Sequence, residues 1–185
     1  LVWISKMHKK PVKAKISGSD LVPLLCAEAS RKGYSLFIIG GKEGIAEKAK
    51  LKLEQQYPQI NIVGTYAPPF GFEKDPVEMD KIKSMIKEAT PDILIVGLGC
   101  PKQEKFMYHH CTELGVPISF GLGASFDFEA GNIKRAPRWM ANHGLEWLFR
   151  ITQDPKRMSK RYLVDDRKIL GLAIKYRRKL INENR

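Results

Sequence analysis

Four short apolar segments alternate with amphipathic ones along the first part of the chain. Each of the four is rich in β-branched or aromatic residues, and each runs into a glycine. Runs of this kind are typical of strands that are buried on both faces of a parallel sheet. We therefore predict four buried parallel strands that end at their glycines, over residues 36–39, 60–63, 93–96 and 116–120.

Helical patterns fill the intervals between these strands. Two of these helices have clear start or stop signals in the sequence. Asp20 begins one helix and Gly33 ends it, and Asp75 with Pro76 begins another. Strand and helix therefore alternate, which indicates an α/β fold with right-handed crossovers. The predicted helices cover about residues 20–32, 43–57, 75–89 and 102–113.

The pattern changes after Gly131, and no further strand is predicted there. Leucine and isoleucine alternate with arginine and lysine, and helices are predicted to begin at Pro137 and Pro155. We therefore divide the chain into an α/β body over residues 1–133 and a basic, amphipathic helical appendage over residues 134–185.

The composition excludes several classes of protein. With 185 residues, of which 43% are apolar and 28% charged, the chain can bury a core. No stretch approaches the ~18 consecutive apolar residues of a membrane span, which excludes a polytopic membrane protein. The three cysteines show no CxxC spacing, so they indicate reduced thiols in the cytosol and exclude a disulfide-stapled miniature.

The net charge of +12 is concentrated in the appendage. Residues 1–133 carry 17 basic and 15 acidic side chains, a net charge of +2, whereas residues 134–185 carry 15 and 5, a net charge of +10. Such a segment suits nucleic acid, an anionic membrane surface or an ordinary solvated helix face. Its basic residues are interleaved with leucine and isoleucine, and no nucleic-acid module is recognisable, so we favour a membrane surface over nucleic acid.

The first predicted strand leads through Gly40 and Gly41 into the start of a helix. The N–H groups at a helix start can receive phosphate, so both glycines are candidate substrate-binding residues. The segment is not a Walker loop and lacks the full GxGxxG pattern, and an ordinary tight turn explains it equally well.

A second glycine turn follows the third predicted strand and leads into a helix with Pro101 at its first position. Ligands bind at the carboxyl ends of strands in open α/β sheets, so Gly97, Gly99 and Pro101 are candidate substrate-binding residues. Lys102 can balance diphosphate charge there, and Gln103 can donate to a sugar or phosphate oxygen. The run Lys-Gln-Glu-Lys is alternatively a solvated helix face.

The fourth predicted strand leads into a segment that contains Gly123 and Asp127, both candidate substrate-binding residues. Its small residues let a ligand approach the backbone closely. Asp127 lies among aromatic residues, where a carboxylate requires a partner or a function. Asp127 and Glu129 are too few to indicate a metal site, so neither a metal nor a cofactor is predicted.

An aromatic loop over residues 66–72 follows the second predicted strand. Two consecutive prolines, Pro68 and Pro69, restrict its backbone. The loop either lines a cleft or forms a stiff connection.

Several of these motifs, in this order and spacing, resemble the WecG/TagA/CpsF glycosyltransferases, glycosyltransferase family 26. The resemblance covers nearly the whole chain and is strongest toward exopolysaccharide-type members. It rests on residues 17–21, 40–42, 97–105, 123–128, 134–139 and 144–150.

The resemblance implies a Rossmann-like fold and the transfer of a sugar from a UDP-sugar to a polyprenyl-diphosphate-linked sugar. The sugar is N-acetylmannosamine-like or another hexose, and the reaction is inverting and needs no metal. The enzyme would be a peripheral protein on the cytoplasmic face of the bacterial cell membrane, in cell-surface polysaccharide synthesis. The resemblance also admits a homo-oligomer, and a non-catalytic member that binds UDP or docks on a membrane.

The resemblance further assigns roles to individual residues. It matches Gln103 to a pocket glutamine and Lys15 to a pocket arginine of the family, so both are candidate catalytic residues. Lys15 keeps the positive charge of that arginine but lacks its bidentate guanidinium fork. Arg150, Arg157 and, as a lysine, Lys160 match the arginines with which the appendage closes the site over the diphosphate.

The start of the chain departs from the family. The proposed catalytic aspartate of the family belongs to an Asp-Gly element just ahead of the segment that matches residues 1–3. That element is not in the sequence, which opens without methionine at Leu1. We therefore expect further residues upstream.

Overall fold

A computed structural model of the chain describes residues 5, 12–13, 16–123, 128–131, 134–137, 139–140, 143–159, 169, 171–172 and 175–176. The chain divides into two compact units. Ile16–Ile133 forms the first, which we call the α/β unit. Leu1–Lys15 and Lys134–Arg185 form the second, which we call the appendage unit.

The described residues of the α/β unit form four parallel strands in the order β2-β1-β3-β4. The order has a crossover, because the chain runs from β2 past β1 to β3. The predicted parallel α/β arrangement is confirmed. The strands are β1 (Ser35–Gly40), β2 (Asn61–Tyr66), β3 (Ile93–Gly97) and β4 (Ile118–Gly121).

Among the described residues of the α/β unit, four α-helices accompany the sheet, and local sequence accounts for several of their ends. The helix before β1 ends at Gly33, which adopts a left-handed conformation with φ of 73°. Asp75 caps another by accepting from the N–H groups of Val77 and Glu78, as its position before Pro76 predicts. The helices are α1 (Gly18–Lys32), α2 (Ile45–Gln56), α3 (Pro76–Ala89) and α4 (Lys102–Leu114).

Helices cover both faces of the sheet, which gives the unit two hydrophobic clusters. On one face, α1 and α2 pack against alternate strand residues, including Leu36 and Ile38 of β1 and Ile95 of β3. On the other face, α3 and α4 pack against Ile39 and Val96. Because both faces are covered, residues 36–39 of β1 and 93–96 of β3 are all apolar and buried, as the continuous apolar runs indicate.

The prediction that the second strand ends at Gly64 is wrong, because β2 continues to Tyr66. A Cβ atom at position 64 would lie 2.4 Å from Cε2 of Phe37 on the neighbouring strand. Gly64 therefore makes room for the Phe37 ring within the sheet and does not end the strand.

Burial on both faces holds for β1 and β3 but not for β2 and β4. Val63 in β2 and Ile118 in β4 are exposed, the latter to 51% of its reference area. Within residues 16–123, the strand order leaves β2 and β4 with one strand neighbour each. An outer strand has fewer side chains packed around it, so an apolar run alone does not determine its burial.

The appendage unit contains α5 (Glu146–Gln153) and α6 (Pro155–Ser159). Helix α6 begins at Pro155, as predicted. The helix predicted from Pro137 was to include Trp147 and Leu148, but the structure describes residues 139–140 as helical and begins α5 separately at Glu146. Helix α5 buries none of its residues, while Met158 of α6 is buried. In the described parts of the chain, no helix combines the length and apolar character that crossing a membrane requires.

Candidate functional site

The carboxyl ends of β1 and β3 form a topological switch point. The connection that leaves β1 leads to β2, whereas the one that leaves β3 leads to β4 on the opposite side of the sheet. The two connections therefore diverge where the strands end. Open α/β sheets bind their ligands in the crevice that such a divergence creates.

Gly40 and Gly97 bring two backbones together at this point. They are register partners at the ends of β1 and β3, and the N–H of Gly41 donates to the Gly97 carbonyl at 3.2 Å. A Cβ atom at position 40, where φ is 118°, would lie 2.4 Å from the Gly97 carbonyl carbon. The floor of the switch point is therefore bare backbone, as a tightly approached ligand requires.

Two helix starts lie at the same edge of the sheet. Helix α2 follows β1 through Gly41 and Gly44, and α4 follows β3 through Gly99, all three with positive φ. The first N–H groups of a helix lack partners within it and carry partial positive charge, so this edge favours an anion such as a phosphate. Lys42 is exposed between the first two glycines.

Pro101 directly precedes α4 and does not occupy its first helical position, a shift of one residue from the prediction. The Cys100–Pro101 peptide bond is cis. The first turn is closed by the N–H of Gln103, which donates to the Gly99 carbonyl at 2.9 Å. The turn after β3 is thus continuous with the start of α4.

The side chain of Gln103 is buried and joins two loops of the site. Its Oε1 accepts from the N–H of Gly123 at 3.1 Å, and its Nε2 donates to Glu104 at 2.8 Å. Gly121 lies close to the same side chain, because a Cβ there would lie 3.1 Å from Nε2 of Gln103 and 2.9 Å from Cε of Met107. Gln103 therefore fixes the segment after β4 against the segment after β3, and it places Gly123 beside the switch point.

Lys102 binds the aromatic loop that follows β2. Its Nζ lies 2.5 Å from a carboxylate oxygen of Glu73 and 4.7 Å from the ring centroid of Phe70. The hydrogen bond from Lys102 holds the pKa of Glu73 below its ordinary value. Glu73 follows β2 and Lys102 follows β3, and β1 lies between these two strands. The ion pair therefore joins the segments on either side of β1, which ends at Gly40.

A second contact fixes the start of the same loop. The Tyr66 hydroxyl donates to Glu78, and Nζ of Lys81 donates to that hydroxyl at 2.7 Å and lies 4.6 Å from the ring centroid. This hydrogen bond raises the pKa of Lys81. Sequence reasoning singled out the loop but missed Glu73, Glu78 and Lys81, because no local pattern indicates which partners these charged residues find in the fold.

The structure describes some of the predicted site residues but not others. Lys15, Asp127 and Lys160 lie outside the described residues, and so does the side chain of Arg157. Arg150 belongs to α5 of the appendage unit, where its guanidinium donates to Glu146 at 2.8 Å. The α/β unit thus assembles the predicted glycines with Pro101, Lys102 and Gln103 at one edge of the sheet.

A metal site was not predicted. Over the ranges that the structure describes, no three or more histidine, cysteine, aspartate or glutamate side chains come together as metal ligands would.

Comparison with known proteins decides the family. Residues 1–183 match the Glycosyl transferase WecG/TagA/CpsF family. The chain belongs to this family. The resemblance found in the motifs is thereby confirmed, and the switch point described above is that of a family member.

Two curated relatives are similar over most of the chain. Both are named N-acetylglucosaminyldiphosphoundecaprenol N-acetyl-beta-D-mannosaminyltransferase. One, from Bacillus subtilis (strain 168), is 34% identical over 160 residues, which are 86% of this chain and 60% of the relative. The other, from Bacillus spizizenii, is 34% identical over 158 residues, 85% of this chain and 59% of the relative. The chain therefore spans about three fifths of the length of these family members.

Proposed function

We propose that this chain belongs to a glycosyltransferase that moves a hexose, such as N-acetylmannosamine, from a UDP-sugar to a polyprenyl-diphosphate-linked sugar. Family membership supports the reaction class. The names of the two relatives support the donor sugar and the lipid-diphosphate acceptor. The product would enter a cell-surface polysaccharide.

The backbone contact between Gly40 and Gly97 is the observation that carries the proposal. It leaves a surface without side chains at the switch point, between the starts of α2 and α4. A UDP diphosphate fits this surface, because N–H groups can approach its oxygens while the helix ends oppose its charge. Lys102 adds a cation at the rim once a phosphate competes with Glu73 for it.

The leaving diphosphate is the group whose charge the enzyme must stabilise in an inverting transfer. We assign this task to Arg150, Arg157 and Lys160, whose cationic groups would replace a metal. In the same proposal, the basic appendage over residues 134–185 holds the α/β body on the cytoplasmic face of the membrane, where its lipid-linked acceptor lies. Gln103 positions the donor through the loop after β4.

A transfer assay with the purified full-length protein tests the proposal. UDP-N-acetylmannosamine and a polyprenyl-diphosphate-linked N-acetylglucosamine would be supplied in detergent, with and without EDTA. We expect a disaccharide product with inverted anomeric configuration by NMR, at a rate that EDTA leaves unchanged. Loss of turnover in EDTA that added metal restores would refute the metal-independent step.

Binding measurements separate transfer from the alternatives that the sequence left open. Calorimetry with UDP should show binding in either a catalytic or a non-catalytic family member. UDP binding without turnover would identify a UDP-binding or membrane-docking member. Binding to duplex DNA or single-stranded RNA at physiological salt, without UDP binding, would instead favour a nucleic-acid partner.

A further inference from the structure

Phe70 projects from the carboxyl edge of the sheet into solvent. Its relative exposed area is 101%, the highest among the exposed large apolar residues of the described chain. Pro69 beside it is also exposed, and we call Pro68, Pro69 and Phe70 the Pro68–Phe70 tip. An apolar side chain held this far from the body is unfavourable in water, so a partner that covers it gains free energy.

The tip is held in place by its flanks. On one side, Tyr66 bonds to Glu78 and Lys81. On the other side, Phe72 is buried in the cluster between the sheet, α3 and α4. A ring presented by a preorganised loop loses little conformational entropy when it binds.

The backbone of the tip is suited to an apolar environment. Pro68 and Pro69 have no N–H group to desolvate. The Pro69 carbonyl accepts from the N–H of Phe72 at 3.2 Å, and the Gly71 carbonyl accepts from Lys74 at 2.9 Å. A backbone segment whose polar groups are absent or already hydrogen-bonded costs less free energy to transfer out of water.

The shape of the tip distinguishes a surface from a small ligand. Small molecules and sugars are bound in concave sites that bury most of the ligand. Phe70 is instead convex and touches the cation of Lys102, whose charge Glu73 balances. An apolar, convex side chain of this kind suits the boundary between lipid headgroups and acyl chains.

We propose that the Pro68–Phe70 tip inserts Phe70 into the surface of a lipid bilayer and so holds the carboxyl edge of the sheet against the membrane. Its biological role rests on the proposed function, since a lipid-linked acceptor would be presented at that surface. The tip is an apolar anchor of the α/β unit, separate from the basic residues of the appendage. The two contributions differ in their response to salt.

Partition onto vesicles tests the tip without donor or acceptor. Wild-type protein and F70S would be co-sedimented with phosphatidylcholine–phosphatidylglycerol vesicles at low salt and at about 0.5 M NaCl, where attraction between exposed charges is largely screened. We expect F70S to lower the partition coefficient about tenfold or more at both salt concentrations, since insertion of the phenylalanine ring removes a large apolar area from water. F70W should retain binding, because tryptophan also suits the membrane interface.

A matched control uses Leu51, which is exposed on α2 to 59% of its reference area and is remote in sequence from the tip. L51S should partition as the wild type does. Equal partition of F70S and wild type at high salt would overturn the proposal. So would unchanged partition with a raised KM for the acceptor, which would place Phe70 on the acceptor itself.

The two proposals fail separately in these experiments. Vesicles without acceptor report on the tip alone. Full-length protein that binds vesicles through Phe70 but transfers no sugar would refute the proposed function and leave the lipid contact intact.

Discussion

Gly40 and Gly97 face each other at the ends of the neighbouring parallel strands β1 and β3. The Gly97 backbone is so close that position 40 has no room for a side chain. This pair defines the switch point on which the candidate site is built. The contact is unlike an ordinary turn, because it combines a positive φ with the close approach of another strand.

Substitution of Gly40 tests this relationship. G40A should destabilise the fold by about 3 kcal/mol or more, because φ of 118° strains an L-residue and the methyl group meets backbone atoms that cannot move aside. Urea unfolding measures the change. G33A is the control, since Gly33 has φ of 73° but no atom within 4 Å of its Cβ position, and about 1 kcal/mol is expected there. Equal costs at the two positions would contradict a crowded switch point.

Removal of the Gln103 side chain should release the loop after β4. In Q103A the N–H of Gly123 loses its acceptor, so its amide hydrogen exchange should accelerate about tenfold. Q103E retains an acceptor oxygen and should keep Gly123 protected when the carboxyl is ionised, although it places a second carboxylate beside Glu104. Exchange of Gly123 that is identical in wild type and Q103A would show that this contact does not hold the loop.

The ion pair between Lys102 and Glu73 makes stability depend on pH. The folded-state pKa of Glu73 lies below its ordinary value of 4.5 because Lys102 bonds to it. The pair therefore stabilises the fold above pH 4.5, and this contribution is lost as pH falls through the lower folded-state pKa. NMR titration of the Glu73 side-chain carboxyl should show its pKa rising toward 4.5 in K102M. K105M, an exposed position on the same helix, should leave that pKa in place.

Arg150 should be required for transfer if it faces the diphosphate. R150A is expected to lower kcat/KM about tenfold to a hundredfold, the range for a charge-assisted hydrogen bond. R150K keeps the charge but loses the fork, so an intermediate rate is expected. E146Q removes the carboxylate that Arg150 binds at 2.8 Å and should retain transfer. Unchanged turnover in R150A, with helicity preserved by circular dichroism, would exclude the diphosphate role.

The cysteines should differ in reactivity. Burial raises the pKa of Cys26 to about 12, with a further contribution from Glu129, and only a thiolate is nucleophilic. Cys100 is exposed in the turn before α4. At pH 8, iodoacetamide with mass spectrometry should show modification of Cys100 in the native protein and of Cys26 only after unfolding. Rapid native modification of Cys26 would mean that helix α1 opens readily.

Local patterns were sufficient to predict most elements of the α/β unit. Apolar runs that end in glycine located β1 and β3, and Gly33 and Asp75 located helix ends, because the φ preference of glycine and the capping of N–H groups act within a few residues. Gly64 was misassigned, since its neighbour Phe37 lies on another strand and is distant in sequence.

The sequence by itself determined the parallel α/β class, the glycine turns, the charge asymmetry and the family resemblance, since each depends on residue type and spacing. Only the tertiary structure decided which turns meet. The strand order set Gly40 against Gly97, directed Gln103 to Gly123, and joined Lys102 to Glu73 and Phe70. These contacts depend on how crossovers arrange the strands, and no local pattern of polar and apolar residues encodes that arrangement.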